Sequence, residues 1–495
     1  MPFRHGVASG DPLPHGVVIW TRCTPEREPG PERPPERETG PERPPERGAP
    51  PAGVPVAWRI ARDPAMDDVV AAGEAEARAE RDFTVKVDVG GLEPATTYHY
   101  RFEAAGEASP VGRTRTAPEE MAAGLRLGLV SCASYSAGYF NAYRNLARRH
   151  LDLVVHVGDY LYEGLGVMRG RRVRRYPPGG PAITLDQYRA RHALHKADPD
   201  LQALHVRHPM VAVWDDHEVA GGSWRGGAAA HQPAHGNWQR RREAAVQAYA
   251  EWMPLRLPDP SDPARIHRTV HLGGLADLMM LETRLAGRDR PPGGEGPVLA
   301  VVDRHRSLLG AEQRDWLHRE LRSSTARWKL VGNQVMMAPL RVLHVGIGLG
   351  VNPTQWDGYP GERAALFRFL EAEGLQVVVL SGDLHSSWAS DLPGGVEFVT
   401  PSVTSPSFAD SLLPRFPGAT RLATGLLKWQ NRHVRLADLE HHGYVVVDVT
   451  QERVQADWWH VETVTERSDR EHYGGGWLLR HGSTALVRAD GPVGG

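Results

Sequence analysis

The stretch Leu125–Glu163, LRLGLVSCASYSAGYFNAYRNLARRHLDLVVHVGDYLYE, constrains the fold more than any other. An apolar run closes on Ser131-Cys132. A helical pattern follows from Ala137 to Arg149, with Phe140, Tyr143 and Leu146 on one face. A second apolar run, Leu153–Val157, closes on Gly158-Asp159-Tyr160-Leu161-Tyr162-Glu163. Strand, helix and strand at this spacing predict a βαβ unit with parallel strands and a right-handed crossover. In parallel sheets ligands sit beyond the carboxyl ends of the strands, where Cys132, Asp159 and Tyr162 fall. Asp159 can bridge two cations, and Cys132 and Tyr162 can each ligate one as anions. The unit reads as one half of a two-metal site.

The chain has 495 residues, which suits two or three domains, and its 41% apolar content supports a large core. A net charge of −2 gives no reason to expect a nucleic-acid or membrane-surface partner. The two cysteines, Cys23 and Cys132, make no disulfide framework or zinc-finger spacing and are expected to be free thiols. No stretch approaches a membrane span. The start, MPFRHGVASGDP, holds neither an apolar signal core nor a twin-arginine segment. The protein is then either cytosolic or preceded by a signal upstream of this chain.

Residues 1–117 are expected to form a β domain. Val7–Ser9, Gly16–Thr21, Val54–Ala61, Asp82–Val89 and Thr97–Glu103 have strand patterns whose alternation fits a sandwich. The run Leu92-Glu93-Pro94-Ala95-Thr96-Thr97-Tyr98-His99-Tyr100 resembles the tyrosine corner of fibronectin type III domains. Residues 25–51 contain a tandem repeat, REPGPERPPE then RETGPERPPE, over Arg27–Glu46. Its prolines block both helix and ladder and its charges resist burial, so a disordered loop is expected.

From residue 124 the pattern becomes α/β and continues to about 465, leaving 466–495 as a C-terminal extension. Helical patterns cover Thr184–Lys196, Pro199–Arg207, Gly236–Trp252, Ala311–Ser323 and Gly361–Glu373. Three more apolar runs close on polar groups: Met210–Trp214 on Asp215-Asp216-His217-Glu218, Trp328–Val331 on Gly332-Asn333-Gln334, and Gln376–Leu380 on Ser381-Gly382-Asp383-Leu384-His385. Thr269–Gly273, Ala276–Glu282, Glu397–Pro401, Tyr444–Thr450 and Val454–Val461 complete the strands. Two packed sheets with helices outside are expected.

Singly, each polar ending has a structural explanation: an inert buried thiol at Cys132, a core aromatic at Tyr162, a structural histidine at His217, an N-cap at Asp383. Five endings in one chain are not a core pattern. They are what two neighbouring cations need, a bridging anion flanked by ligands on rigid strand ends. Arg169–Arg175 is either a cationic loop for phosphate or a solvated basic loop. Trp356-Asp357-Gly358-Tyr359 is a candidate pocket wall. Gly221–Gly227 and Gly346–Gly350 lack the lysine pattern of a nucleotide cradle.

At this point the chain resembles the alkaline phosphatase D family, a branch of the calcineurin-like metallophosphoesterases. The resemblance rests on FRHGVASGDPLPHGVVIWTR, SCASY, HVGDYLYE, TLDQYRARHALHKADPDLQALH, VWDDHEVAGG, VGNQVMM, SGDLHSSWASD and NRHVRLADLEHHGYVVVDVT. It covers nearly the whole chain except the repeat. It implies a fold of mixed α/β (α+β) class, a fibronectin-III-like or Ig-like β-sandwich followed by a two-sheet αββα sandwich. It implies that Cys132, Asp159, Tyr162 and His385 hold a ferric ion. Asp159, Asp216, Asn333 and Asp383 would hold a second cation, calcium in this branch, with Asp215 a further candidate because the doubled aspartate leaves the register open. His217 would stand beside the substrate as an acid or electrostatic group. The Asp-x-x-Tyr spacing at Asp159–Tyr162 also resembles purple acid phosphatases, where the tyrosine ligates iron(III). A cysteine where most of the superfamily has Asp-x-His makes the first site softer and more anionic, which sets iron(III) ahead of zinc or manganese.

The activity implied is hydrolysis of phosphate mono- and diesters by direct attack of a metal-bound hydroxide, with an alkaline optimum. The family is usually exported. The alternatives are a phosphodiesterase for phospholipid headgroups or teichoic-acid-like polymers, and a β-sandwich binding protein with a decayed hydrolase domain. The intact ligand set argues against the last.

The repeat yields a direct expectation. Deleting Arg27–Glu46 should leave melting temperature and turnover nearly unchanged, because shortening a flexible loop about fourfold alters closure entropy by only ~1.2 kcal/mol. A clear fall in either would show that the repeat packs on the body.

Overall fold

The computed structural model describes residues 2–24, 53–164, 168, 172–176, 180–291, 298–299, 304–344, 348–412 and 419–494. The Pro/Glu/Arg repeat, Arg169–Arg171 and part of the Gly346–Gly350 stretch lie outside the described residues.

The apolar runs pair as expected. Gly124–Val130, Leu153–His156 and Met210–Ala212 lie parallel and in register, with Val154 opposite both Gly128 and Met210. They form the middle of a ten-stranded sheet I. Its order is Val487–Arg488, Glu471–Arg480, Arg453–Val461, Gly443–Thr450, Gly124–Val130, Leu153–His156, Met210–Ala212, Val7–Leu13, Gly16–Arg22, Thr84–Gly90. Sheet II has seven strands, in the order Arg268–Leu272, Ala276–Met280, Trp328–Gly332, Val377–Ser381, Gly395–Val399, Ser387–Leu392, Val434–Asp438. Ala276–Met280, Trp328–Gly332, Val377–Ser381 and Gly395–Val399 are mutually parallel.

Period-2 alternation explains the layering. Leu278, Leu330 and Val378 share one buried core with Leu127 and Val155 of sheet I. Met279, Val331 and Val379 face the other way, onto Leu317 and Leu321 of the helix Gly310–Ser323 and Leu366 and Leu370 of the helix Pro360–Ala372. On the far side of sheet I lie Asn141–Leu146, Leu185–Lys196, Pro199–Arg207 and Trp238–Trp252. The layers are helix, sheet, sheet, helix. Three of the helices begin at side-chain caps. Thr184 and Gln187 form a capping box, and Asp198 and Asn237 accept first-turn N–H groups.

The N-terminal strands form two layers, as a sandwich requires. One layer is the outer end of sheet I, and the other is a separate sheet of Val69–Arg78, Gly53–Ala61, Thr97–Ala104, Glu107–Ala108 and Gly112–Arg115. The join is a parallel bridge from Gly10 to Met210. Only glycine fits there, since a Cβ would stand 2.1 Å from the Pro254 carbonyl. The tyrosine corner is present: Tyr98 is buried and its hydroxyl accepts the Glu93 N–H at 2.9 Å. Residues 466–495 add the two outermost strands at the other end of sheet I.

One local expectation fails for a tertiary reason, and one strand appears where no element was expected. The helix over Ala137–Arg149 shrinks to Asn141–Leu146. Tyr139 N–H and the Asn141 amide bind carbonyls of Val464, Thr463 and Glu466, which fixes the approach in a non-helical path. Val69–Arg78, VVAAGEAEAR, has helix-forming composition yet pairs with Gly53–Ala61 along its whole length as an exposed edge strand. Cys23 and Cys132 are free and buried. Among the described residues no helix is long and apolar enough to cross a membrane.

The N-terminal layer is fastened by a buried ion pair. Asp11 Oδ1 accepts from Arg268 Nη2 at 2.6 Å, and its Oδ2 accepts the Arg256 N–H at 2.6 Å. Asp11→Ala leaves a buried guanidinium without its anion, so a loss of about 3–5 kcal/mol in denaturant unfolding is expected. A loss below 1 kcal/mol would mean that the N-terminal layer is held by apolar packing alone.

Candidate metal centre

Every candidate ligand sits just past the carboxyl end of a parallel strand, and the two sheets bring those ends to one edge. Cys132 follows Gly124–Val130, Asp159 follows Leu153–His156, and Asp215 and Asp216 follow Met210–Ala212. From sheet II, Asn333 follows Trp328–Gly332 and Asp383 follows Val377–Ser381. Cys132, Asp159, Asp383 and His385 all have positive φ, between 51° and 62°. Non-glycine residues rarely accept that conformation, and where they do the surroundings hold them. Here the Cys132 N–H binds the Gly158 carbonyl at 3.2 Å and the Ala133 N–H binds the Asp159 carbonyl at 2.8 Å.

Three overlapping groups result. Donor atoms of Cys132, Asp159 and His385 lie within 4.8 Å of one another, as do those of Asp159, Asp216 and His217, and those of Asp215, Asp216 and Asp383. Asp159 belongs to the first two groups, the place a bridging anion must take. The Tyr162 hydroxyl donates to Asp159 Oδ2 at 2.8 Å and lies 3.4 Å from His385 Nε2. Nδ1 of His385 faces the Pro406 carbonyl at 2.9 Å, which places its proton there and leaves Nε2 with a lone pair. Ser405 Oγ is 2.6 Å from the Tyr162 oxygen and 3.0 Å from the Cys132 carbonyl.

Asn333 donates to the Val335 carbonyl and to Ser381 Oγ, and its Oδ1 accepts from the Trp356 indole at 3.3 Å. The Trp356–Tyr359 turn, expected as a pocket wall, buttresses Asn333. Gln355 beside it donates to Asp383 Oδ2. Arg174, from the basic run after the second ligand strand, turns to Asp198 at 2.7 Å and covers the Tyr135 ring instead of pointing to the site.

Four residues escape a reading by motif. Arg284 is buried among the carboxylates. It makes a two-pronged contact with Asp215, donates to Asp383 Oδ1 at 2.7 Å and lies 3.5 Å from Asp216 Oδ1. Glu282 shapes its turn by accepting the N–H groups of Arg284, Leu285 and Ala286. Glu218 accepts the N–H groups of Asp159, Tyr160 and Asp215, tying two ligand loops together. Glu163 accepts from His217 Nδ1 at 2.8 Å and from the Gly221 N–H. His217 also packs against Tyr162, with ring centroids 4.2 Å apart and the rings tilted by 31°.

The electrostatics test whether cations fit. Burial, reinforced by Asp216 and Asp383 against the pull of His217, pushes Asp159 up to about 7. Burial and the Asp159 charge raise the Cys132 thiol and the Tyr162 phenol far above their ordinary ranges. Burial raises Asp215 despite Arg284. It also opposes ionisation of Asp216, but Arg284 and His217 prevail and hold that carboxyl low. Burial lowers His385, keeping its lone pair free. On His217 burial is outweighed by Glu163, Asp159 and Asp216, which favour the imidazolium. The buried Asp216 Oδ1 makes no hydrogen bond. A crowd of buried anionic donors with one guanidinium among them, and an orphaned carboxylate oxygen, is a donor set that multivalent cations complete.

Strand-end donors on a two-sheet αββα sandwich are the arrangement of the metallophosphoesterase fold. Comparison with known proteins makes this specific. Residues 127–458 match the PhoD-like phosphatase family, and residues 1–118 match the PhoD-like phosphatase N-terminal domain. The chain belongs to the PhoD-like phosphatase family and is a phosphoric ester hydrolase. It is 36% identical to alkaline phosphatase D of Bacillus subtilis (strain 168) over 485 residues, 94% of this chain and 78% of that protein. The solved structure of PhoD superposes with a TM-score of 0.86 at 32% identity, covering 99% of this chain and 93% of that one. Purple acid phosphatase PPD1 from yellow lupin (Lupinus luteus) seeds shares the fold, with a TM-score of 0.57 at 11% identity, over 96% and 73% of the two chains.

Both carboxylate oxygens of Asp215 are hydrogen-bonded to Arg284, whereas Asp216 Oδ1 has no hydrogen bond and only a 3.5 Å approach of that guanidinium. Asp215→Asn should therefore cost about 3 kcal/mol of stability, the penalty of weakening a buried pair, yet retain bound metal. Denaturant unfolding and elemental analysis of one preparation test this. Metal lost with stability unchanged would make Asp215 a ligand.

Proposed function

We propose that this phosphatase hydrolyses phosphate mono- and diesters by direct in-line attack of water at a two-cation site, without a phosphoenzyme. The observation that carries the reading is the shared position of Asp159 between two overlapping donor groups. Cys132, Asp159, Tyr162 and His385 would hold iron(III). Two of them become anions on ligation, and together with Asp159 they favour a trivalent ion. Asp159, Asp216, Asn333 and Asp383 offer hard oxygens, suited to calcium. When bound, such a pair of cations acidifies water and offsets the charge that develops on phosphorus.

The chain's own groups do the rest. Asp159 keeps the two halves of the site in register through its contacts with the His217 N–H and the Tyr162 hydroxyl. Glu163 fixes the His217 ring by accepting a hydrogen bond from Nδ1–H, so Nε2–H is the group that gives a proton to the leaving oxygen. Arg284 holds Asp383 and Asp215 apart from one another and shields their repulsion.

Asp159→Asn removes the shared anion. Turnover of a nitrophenyl phosphate should fall at least ~10³-fold, about 4 kcal/mol of barrier. Wild-type rates in that variant would take Asp159 out of the site. The native protein should also be coloured, since iron(III) bound by phenolate or thiolate absorbs visible light. Tyr162→Phe should shift or weaken the band, and Cys132→Ser should lower iron content. A colourless protein at full activity would favour zinc or manganese.

A further inference from the structure

A second convergence of metal-binding side chains lies at the side edge of the sandwich. Asp438 ends the outer strand of sheet II, Val434–Asp438, and His441 follows it in the next turn. His460 and His472 stand on neighbouring strands of sheet I, Arg453–Val461 and Glu471–Arg480, as direct cross-strand partners. A carboxylate oxygen of Asp438 and ring nitrogens of His441 and His460 lie within 4.8 Å of one another. The His441 ring lies face to face with His460, centroids 4.8 Å apart, and 5.3 Å from the His472 ring. His460 and His472 are 5.5 Å apart.

The backbone makes room for this cluster. The ladder slips between Trp458 and Trp459, so Trp458 pairs with Gly475, Trp459 pairs with Tyr473, and Gly474 is skipped. The His460 ring lies against that skipped glycine. A Cβ at Gly474 would stand 2.5 Å from His460 Cε1, so any side chain there would displace the ring. The buried His460 is held further by Ser387 Oγ, 3.2 Å from its Nε2. Burial pushes His460 down to about 4, so the ring is neutral and has a lone pair at physiological pH.

We infer that Asp438, His441 and His460, with His472 as a fourth donor, form a binding site for a borderline divalent ion of the zinc class. Three imidazoles and one carboxylate suit zinc, nickel or copper(II) rather than calcium or magnesium, which take oxygen donors. The Asp438 oxygens lie 2.9 and 3.1 Å from His441 Nδ1. Bonds of ~2.0–2.2 Å around a tetrahedral ion set donor separations near ~3.4 Å, so that pair opens by only a few tenths. The ion takes the place of the proton now shared between Asp438 and His441 Nδ1, and that proton goes to solvent. The parallel rings of His441 and His460 do not point to one centre, so His441 turns about its Cβ–Cγ bond. Its side chain is 38% exposed, and the turn would replace its contact with Asp438. The bound ion would staple the edge of sheet II to sheet I.

Calorimetric titration of the full-length enzyme, as isolated with its native metals, with zinc chloride tests the site, and cobalt(II) reports geometry through its visible spectrum. One added equivalent with Kd below ~10 μM is expected, with a rise in melting temperature. His441→Ala and His472→Ala, both at accessible positions, should each weaken binding at least tenfold, and Asp159→Asn should leave it unchanged. Binding that is lost in Asp159→Asn, unaltered in His441→Ala, or weaker than ~100 μM in the parent enzyme would overturn the inference. His460→Ala provides a second check through its cobalt spectrum if it folds.

Discussion

Mutual repulsion among buried carboxylates is the constraint around which this structure is arranged. Asp159, Asp215, Asp216 and Asp383 are gathered from the ends of three strands of two sheets, with donor atoms only a few Å apart. Unit charges at 4 Å repel by about 4 kcal/mol even at an effective dielectric of 20. One buried guanidinium, Arg284, offsets part of this, and cations complete the balance. Left to itself such a cluster would splay. It does not because each member is rooted in a strand whose alternate side chains fill the core on both faces of the sheet. The αββα packing is therefore what makes the charge density affordable to the fold.

The same demand explains the backbone. Positive φ at Cys132, Asp159, Asp383 and His385 costs of order 1–3 kcal/mol each. These turns aim donors sideways off the strand ends, toward a common centre, where an extended continuation would send them up into solvent. Glu218 repays part of the strain by binding N–H groups on both the Asp159 and the Asp215 loops. Its carboxyl is pushed up to about 8 by burial and by Asp159, a further sign of how crowded with negative charge this edge is.

What could be seen in the sequence follows from this architecture. A strand that is apolar on both faces and ends in a donor is a local pattern, so Cys132, Asp159, Asp216, Asn333 and Asp383 were visible with no knowledge of tertiary structure. Arg284 was not, because nothing in LETRLAG distinguishes it until sheet II places it against Asp215, far away in the chain. Glu218 stood in view beside His217, but its partners are backbone N–H groups, which leave no trace in a sequence. The helix at Asn141–Leu146 was overdrawn because its first turn is spent on carbonyls of the 463–466 segment. The edge strand Val69–Arg78 was missed because alanine and glutamate carry no strand signal, and only pairing with Gly53–Ala61 makes it one.

The two halves of the site differ in how they are supported, and this bears on their chemistry. The oxygen-rich half is braced by charge, through Arg284 on Asp215 and Asp383. The half with Cys132, Tyr162 and His385 is braced by neutral hydrogen bonds from one loop, Ser402–Ser407. Ser405 reaches Tyr162 and the Cys132 carbonyl, and the Pro406 carbonyl fixes His385. That loop is locked in turn by a buried chain in which Ser402 meets His442 Nδ1 at 2.9 Å and His442 Nε2 meets Asp410 at 3.0 Å. No guanidinium competes for the Cys132 and Tyr162 donors in that half, whereas the one beside Asp383 already satisfies part of that carboxylate. On the proposed reading, the half without a guanidinium would take the more highly charged ion, and the half that shares its anions with Arg284 a divalent one. Asp159, reached by Tyr162 from one side and by the His217 N–H from the other, stands where the two regimes meet.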